Sequence, residues 1–360
     1  MNFIPYGKQT ISQDDISSFI ETLQSDFLTT GPKVNEFEQN IYERSNAKYC
    51  VSVSNGTAAL HLSALALLNK SDKVLTTPNS FIATSNSILY AQAIPIFVDI
   101  YEDGSIDLNL CEELLKKDST IKAIFAVSFS GKTLNQKKLQ YLKETYNIKI
   151  LEDNAHSLGV KLGSSDISIF SFHPVKHIAT GEGGAIVTND KALYEKIKRL
   201  RNHGQDNNHQ MLELGFNYRL SDLSSTLGLS QIKKLDSFIE KRQEIAKKYD
   251  DAFINTMVKP LYKYTNSSVY HLYIITIDFE KLDISREELF KAMRQKNIGL
   301  QIHYKPINKQ PYYKSLGYGD EDTPNMDKYY SQCVSLPCFP LLTSIEQNYV
   351  IKSLFEVLNA

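Results

Sequence analysis

The chain has no surplus of either charge. Its 360 residues carry 40 Lys and Arg against 41 Asp and Glu, a formal net charge of −1. Without a basic excess nothing pulls the chain as a whole toward nucleic acid or an anionic membrane, so neither is expected as a partner. An anionic ligand would need a local pocket. No uninterrupted apolar run approaches the ~18 residues of a membrane-spanning helix. Met1–Thr10 lacks the basic stretch and apolar run of a secretory signal. Cysteine is scarce: Cys50, Cys111, Cys333 and Cys338 are scattered, with no CxxC pair and no companion histidine cluster. They read as reduced thiols of a cytoplasmic protein, and no metal site is expected. Internal repeats and low-complexity linkers are absent too.

What is present is alternation. Short β-rich runs recur at Tyr49–Val53, Lys73–Thr76, Ile94–Val98, Ala123–Val127, Lys149–Leu151, Ile167–Phe170 and Gly184–Val187. Amphipathic helical runs lie between several of them, at Ala58–Leu68, Leu108–Lys117 and Gln136–Tyr146. Near-continuous apolar strands alternating with helices predict an α/β fold with a mostly parallel sheet covered by helices. Ligands of such sheets bind beyond the carboxyl ends of the strands, so the chemistry should follow directly after strands. A helix is expected from Asp190 to about His203, then a mobile polar loop at Gly204–Gln210. Ser221 is placed to cap a helix through Leu223–Leu235, and another helix should span about Ser237–Asn255. The last ~100 residues mix a strand (His271–Ile277) with helices (Arg286–Lys296, Ile345–Leu358), which suggests a smaller α+β domain. The expected division is a large domain at 1–240 and a small one at 241–360.

Four motifs fall after strands or at helix starts. Ser54-Asn55-Gly56-Thr57-Ala58 opens a helix, where glycine admits a close ligand and free N–H groups suit a phosphate; it is equally a plain βα turn with a Thr cap. Glu152-Asp153-Asn154-Ala155-His156 ends a strand with a carboxylate that can hold a protonated ring nitrogen or simply cap a loop. Ser171-Phe172-His173-Pro174-Val175-Lys176 precedes Thr180-Gly181-Glu182-Gly183-Gly184. A lysine fixed there and buried would have a lowered pKa, and its neutral amine could form a Schiff base; on a surface turn it would be an ordinary solvated lysine. Gly215-Phe216-Asn217-Tyr218-Arg219 precedes the Ser221 cap and, alone, is a turn.

Taken together and in order, these motifs resemble the DegT/DnrJ/EryC1/StrS sugar aminotransferases, a family of fold-type-I PLP enzymes. The likeness extends to Pro78–Thr84, to Ile302–Pro306, to Leu336–Pro340 and to the opening Phe27–Pro32, so it covers nearly the whole chain. The resemblance implies roles. Lys176 would be the Schiff-base lysine and later the proton carrier, and Asp153 would keep the pyridine nitrogen protonated. His156 would sit near the ring hydroxyl and Phe81 would stack on the ring. Gly56, Thr57, Ala58 and Ser171 would take the phosphate of pyridoxal 5'-phosphate or its pyridoxamine form. Asn217 would reach that phosphate from the other subunit of a homodimer with shared active sites. Thr29, Gly31, Arg219, His303 and Tyr304 would face the substrates.

Those substrates would be L-glutamate and a UDP-linked keto-sugar, aminated at C4 of a 2-acetamido-2,6-dideoxy-4-keto-hexose. The runs Ala126–Lys132 and Gln301–Ile307 are most similar to members acting on the L-arabino-type sugar in pseudaminic acid biosynthesis. The D-xylo sugar of the bacillosamine and legionaminic acid routes is the alternative. Ser128, Asn154 and His177 depart from the family's usual residues. A PLP-dependent dehydratase would carry His in place of Lys176, and a non-catalytic regulatory protein on this fold should have lost Lys176 or Asp153.

Overall fold

The short apolar runs become the strands of one sheet because helices bury both of their faces. This is a computed structural model, and it describes residues 2–359. Two helices come first, α1 (Gln13–Leu23) and α2 (Pro32–Arg44). The alternating part follows as β1 (Tyr49–Val53), α3 (Gly56–Leu67), β2 (Lys73–Thr76), α4 (Ala83–Tyr90), β3 (Ile94–Phe97), α5 (Leu108–Lys117), β4 (Ile121–Val127), α6 (Gln136–Tyr146), β5 (Lys149–Asp153), β6 (Ile167–Ser171), β7 (Gly184–Thr188) and α7 (Lys191–Arg201). The helix starts follow capping chemistry: Asp107, Asn135, Asp190 and Ser221 each accept first-turn N–H groups.

The sheet has seven strands in the order β1-β7-β6-β5-β4-β2-β3. All neighbours are parallel except at β7, which runs antiparallel to both β1 and β6. β5 extends two residues beyond the expected Lys149–Leu151. Glu152 and Asp153 pair with Ala126 and Val127 of β4, so Asp153 is a strand residue held in register. One face packs α3 and α7 through Leu62, Ala64, Ile197 and Leu200. The other packs α5 and α6 through Cys111, Leu115, Leu139 and Leu142. Each such fully buried side chain contributes about 1.5–3 kcal/mol.

The two helices expected at Leu223–Leu235 and about Ser237–Asn255 are both present, with their boundary about three residues earlier. α8 (Asp222–Ile232) stops, and α9 (Leu235–Ala252) begins after Lys233 and Lys234. Lys234 explains the break: its ammonium donates to the buried carboxylate of Asp15 on α1 at 2.8 Å, which pins the turn. Leu235 joins the core around β6 and β7. Ile245, Ala246 and Tyr249 of the same helix join a second core. That core is built on a three-stranded sheet of β8 (Lys259–Pro260), β9 (Tyr273–Thr276) and β10 (Cys333–Leu336), with α10 (Arg286–Gln295), α11 (Pro311–Ser315), α12 (Pro324–Gln332) and α13 (Ser344–Leu358) along the same stretch of chain. Ile4 also belongs to it, through a bridge to Ile298, so the chain's start packs on its last third. Gly204–Gln210, expected as a loose loop, is a turn gathered on the Asp206 carboxylate, which accepts the Asn208 and Gln210 N–H groups.

Candidate active site

Beyond the carboxyl ends of β1, β5 and β6 lies a cleft of about 880 Å³. Its anion-binding wall is the start of α3. The cap is Asn55, whose side-chain oxygen accepts the Ala58 N–H at 2.8 Å, and not Thr57. Thr57 therefore lines the cleft beside Gly56, and the N–H groups of both stand at the helix start with no carbonyl one turn back to bond. Gly56 is required by close approach: a Cβ there would stand 2.9 Å from Cβ and 3.1 Å from Oγ of Ser171 at the end of β6. Helix start and hydroxyl thus meet in one polar cradle of the kind that suits a phosphate.

Asp153 is buried at the end of β5. Thr84 Oγ1 donates to its Oδ2 at 2.6 Å and the Ala155 N–H donates to its Oδ1 at 3.0 Å. Burial raises its pKa; those two bonds and the charge of Lys176 pull the other way. The group forms no salt bridge among the described residues, so the occupant it favours is a cationic N–H.

Lys176 stands in a turn closed by its own N–H on the His173 carbonyl at 2.8 Å. Burial lowers the pKa of its amine to about 8, against the pull of Asp153 and with help from the Arg242 guanidinium. Four histidines surround it. His177 and His303 are pushed to about 3 and His156 and His271 well below their usual range, in each case chiefly by burial. The ring is therefore neutral in all four. His156 Nδ1 accepts the Ser130 N–H at 3.3 Å, which leaves the proton on Nε2, 3.2 Å from the Tyr304 hydroxyl.

The cleft brings together ten of the residues expected from sequence: Gly56, Thr57, Ala58, Phe81, Asp153, His156, Ser171, Lys176, His303 and Tyr304. The Phe81 ring is exposed to the cleft, 6.4 Å from that of Tyr304. Four others lie outside it in a single chain. Asp222 ties up the Thr29–Gly31 segment: it accepts the Gly31 N–H at 3.0 Å and donates its own N–H to the Thr29 carbonyl. Asn217 is exposed beside Asn202, and Arg219 donates to the Asn202 side chain.

The departures from the family pattern are buried: Asn154 donates to Ser168, and His177 Nε2 bonds the Val269 carbonyl at 3.0 Å. Sequence reasoning missed Tyr6, His61, Tyr90 and Tyr218 on the cleft wall, and His271 behind Lys176. His61 carried a readable signal, as a lone polar ring within the apolar helix α3. Tyr218 lies inside the motif at 215–219 without a role assigned to it there, and the rest carried none.

A phosphate-sized cradle, a buried carboxylate awaiting a cation, and a lysine of lowered pKa at the strand ends of this α/β sheet fit the phosphate, ring nitrogen and aldehyde of PLP. The fold is that of a fold-type-I PLP transferase. The sequence profile of the DegT/DnrJ/EryC1/StrS aminotransferase family matches residues 9–355, and the chain belongs to that family. It is 42% identical, over 99% of its own length and 97% of the relative's, to the UDP-4-amino-4,6-dideoxy-N-acetyl-beta-L-altrosamine transaminase of Campylobacter jejuni. Among solved structures it superposes on Helicobacter pylori PseC, an aminotransferase involved in the biosynthesis of pseudoaminic acid, with a TM-score of 0.94 at 31% identity, covering 99% of this chain and 100% of that one. The PMP form of the sugar aminotransferase Spr1654 from Streptococcus pneumoniae gives 0.91 at 25% identity, with 99% and 98% covered.

Proposed function

We propose that this protein is a PLP-dependent transaminase that moves an amino group from L-glutamate to C4 of a UDP-linked 2-acetamido-2,6-dideoxy-4-keto-hexose of the L-arabino type, as pseudaminic acid biosynthesis requires. The observation that carries the reading is Lys176, in the same cleft as the α3 start and Asp153, with its amine's pKa lowered to about 8. Two Campylobacter jejuni relatives named for this transamination, at 42% and 40% identity over 99% of the chain, support the choice of sugar.

When bound, the cofactor supplies an electron sink that makes the carbon–hydrogen bond next to nitrogen acidic. The α3 start with Gly56, Thr57 and Ser171 holds the phosphate. Asp153 keeps a proton on the ring nitrogen, and Phe81 covers the ring. Lys176, neutral at a pH near its lowered pKa, takes a proton from one carbon and returns it at another. Tyr304 accepts the His156 Nε2–H, so its own hydroxyl proton is free to donate into the cleft.

The assembly is a cytoplasmic homodimer. Met211, Leu212 and Leu214 are 65%, 60% and 76% exposed, and Ile16, Ile20 and Leu23 of α1 are also exposed. Such apolar surface next to Thr29–Gly31 and Asn217 fits coverage by a second copy, which would bring Asn217 to the partner's cradle.

The test is spectroscopic. The full chain with PLP should show a visible absorbance band that bleaches with L-glutamate and returns with the L-arabino 4-keto sugar. Return with the D-xylo epimer alone would replace the proposed sugar. No visible band at all would remove Lys176 from its role.

A further inference from the structure

We propose that His271 is a positioning residue for Lys176: its Nε2 holds the free ε-amine on the floor of the cleft, ready for the cofactor. The proposal rests on Lys176 being the lysine that links to the cofactor.

Nε2 of His271 lies 3.4 Å from Lys176 Nζ, and among the described residues it is the amine's hydrogen-bond partner. Asp153, His156, His177, His303 and Arg242 also bear on this amine, but only through their charge, their proximity or its burial. His271 is itself buried, and its Nδ1 has no partner among the described residues. A buried ring with one nitrogen unsatisfied is costly as a purely structural element, whereas as a one-sided contact to the lysine it is explained. A neutral imidazole also serves both states of the amine. It accepts from the ammonium in one tautomer and donates to the free amine in the other.

The backbone that carries the ring is fixed from several sides. His177, next to Lys176, bonds the Val269 carbonyl at 3.0 Å, so the lysine's own turn is tied to the segment bearing His271. Arg242, fully buried and without a carboxylate partner, donates to the carbonyls of Tyr270 at 3.3 Å, His271 at 3.0 Å and Cys338 at 2.6 Å. Tyr270 between them adopts φ 43°, a left-handed conformation that a bulky side chain rarely takes. Gly131 lets this segment close in, because a Cβ there would stand 2.8 Å from the Tyr270 nitrogen and 2.9 Å from that of His271. Strain concentrated at one residue, with a cation spent on neighbouring carbonyls, has the ring's placement as its result. A lysine stem has four rotatable bonds, and holding its end replaces a conformational search with a fixed distance.

The test compares H271N with H271Q in the full-length chain. The Gln amide reaches about where Nε2 stands, and the Asn amide stops near Nδ1. The rate at which PLP generates the visible band should fall about tenfold in H271N and largely recover in H271Q. Affinity for PMP, which has no aldehyde and needs no lysine, should stay at the wild-type value in both. A wild-type rate in H271N overturns the proposal, and so does an equal loss of PMP affinity, which would mark His271 as structural. Absence of the band in wild type would instead fail the Lys176 reading.

A second measurement needs no His271 variant. In the 15N-histidine-labelled chain, K176M should shift the Nε2 resonance of one deeply buried imidazole well beyond the smaller shifts of the three other rings near the amine. No shift overturns the contact.

Discussion

Thr84 Oγ1 donates to Oδ2 of Asp153 at 2.6 Å, with both residues buried. A helix residue just beyond β2 thereby fixes a carboxylate at the end of β5. The bond lowers a pKa that burial raises. Losing it should raise the Asp153 pKa. Since the ionised form is the one that keeps a ring nitrogen protonated, T84V should move the acid limb of the rate profile to higher pH and lower the rate about tenfold near neutrality. D153A should cost about a thousandfold or more at every pH. An unshifted acid limb in T84V, or near-normal turnover in D153A, would take the carboxylate out of the chemistry.

Lys176 is expected to be the most easily modified lysine of the cofactor-free chain. Its amine reacts only when neutral, and the neutral fraction grows as pH rises through about 8. Competitive acylation read by mass spectrometry should therefore give Lys176 a midpoint near that pH, with the surface lysines following at higher pH. The same burial penalises the charged amine in the folded state. Below the folded pKa that penalty is fully present, so K176M should raise the melting temperature by a few degrees at neutral pH while abolishing transamination. A melting temperature that falls would mean that the amine is stabilising where it stands.

The parallel strands were legible because burial on both faces writes them as short apolar runs, and the Ser221 cap was legible at its helix start, whereas the cap of α3 is Asn55 and not the Thr57 the motif suggested. The direction of β7 was not. Gly184–Thr188 is as apolar as its neighbours, and only the ladder to β1 and β6 reverses it. Within the site, Asp153 and Lys176 follow strands and lie within local motifs. His271 is brought to Lys176 across 95 positions, and no local pattern marks it. The break before α9 was legible to within about three residues; the Lys234–Asp15 contact at that turn, between distant chain segments, was not.

Gly56 offers a test of the phosphate cradle without touching a charged group. G56A places a methyl 2.9 Å from Ser171 Cβ, and neither β6 nor the α3 start can retreat freely from a packed core. The cradle should widen, and PMP binding should weaken about tenfold or more by fluorescence titration. S171A removes a hydroxyl without crowding and should cost a comparable amount, on the order of a single hydrogen bond to a charged group, about 1.5–3 kcal/mol. If G56A binds PMP as wild type does, the phosphate lies elsewhere.

Asn217 is exposed in the single chain and lies outside the cleft, so its expected part in cofactor binding depends on a second copy. N217A should weaken PMP retention while leaving the melting temperature of the cofactor-free chain unchanged. The decisive measurement mixes inactive K176A with N217A at a cofactor concentration too low for the N217A homodimer to be active. In a dimer of K176A with N217A, one site combines the intact Lys176 of one subunit with the intact Asn217 of the other, and the second site lacks both. Unfolding and reassociating the pair should therefore restore activity that neither variant has alone, from one working site per mixed dimer. No recovery, with mixed dimers demonstrated by mass, would show that each subunit builds its phosphate site alone.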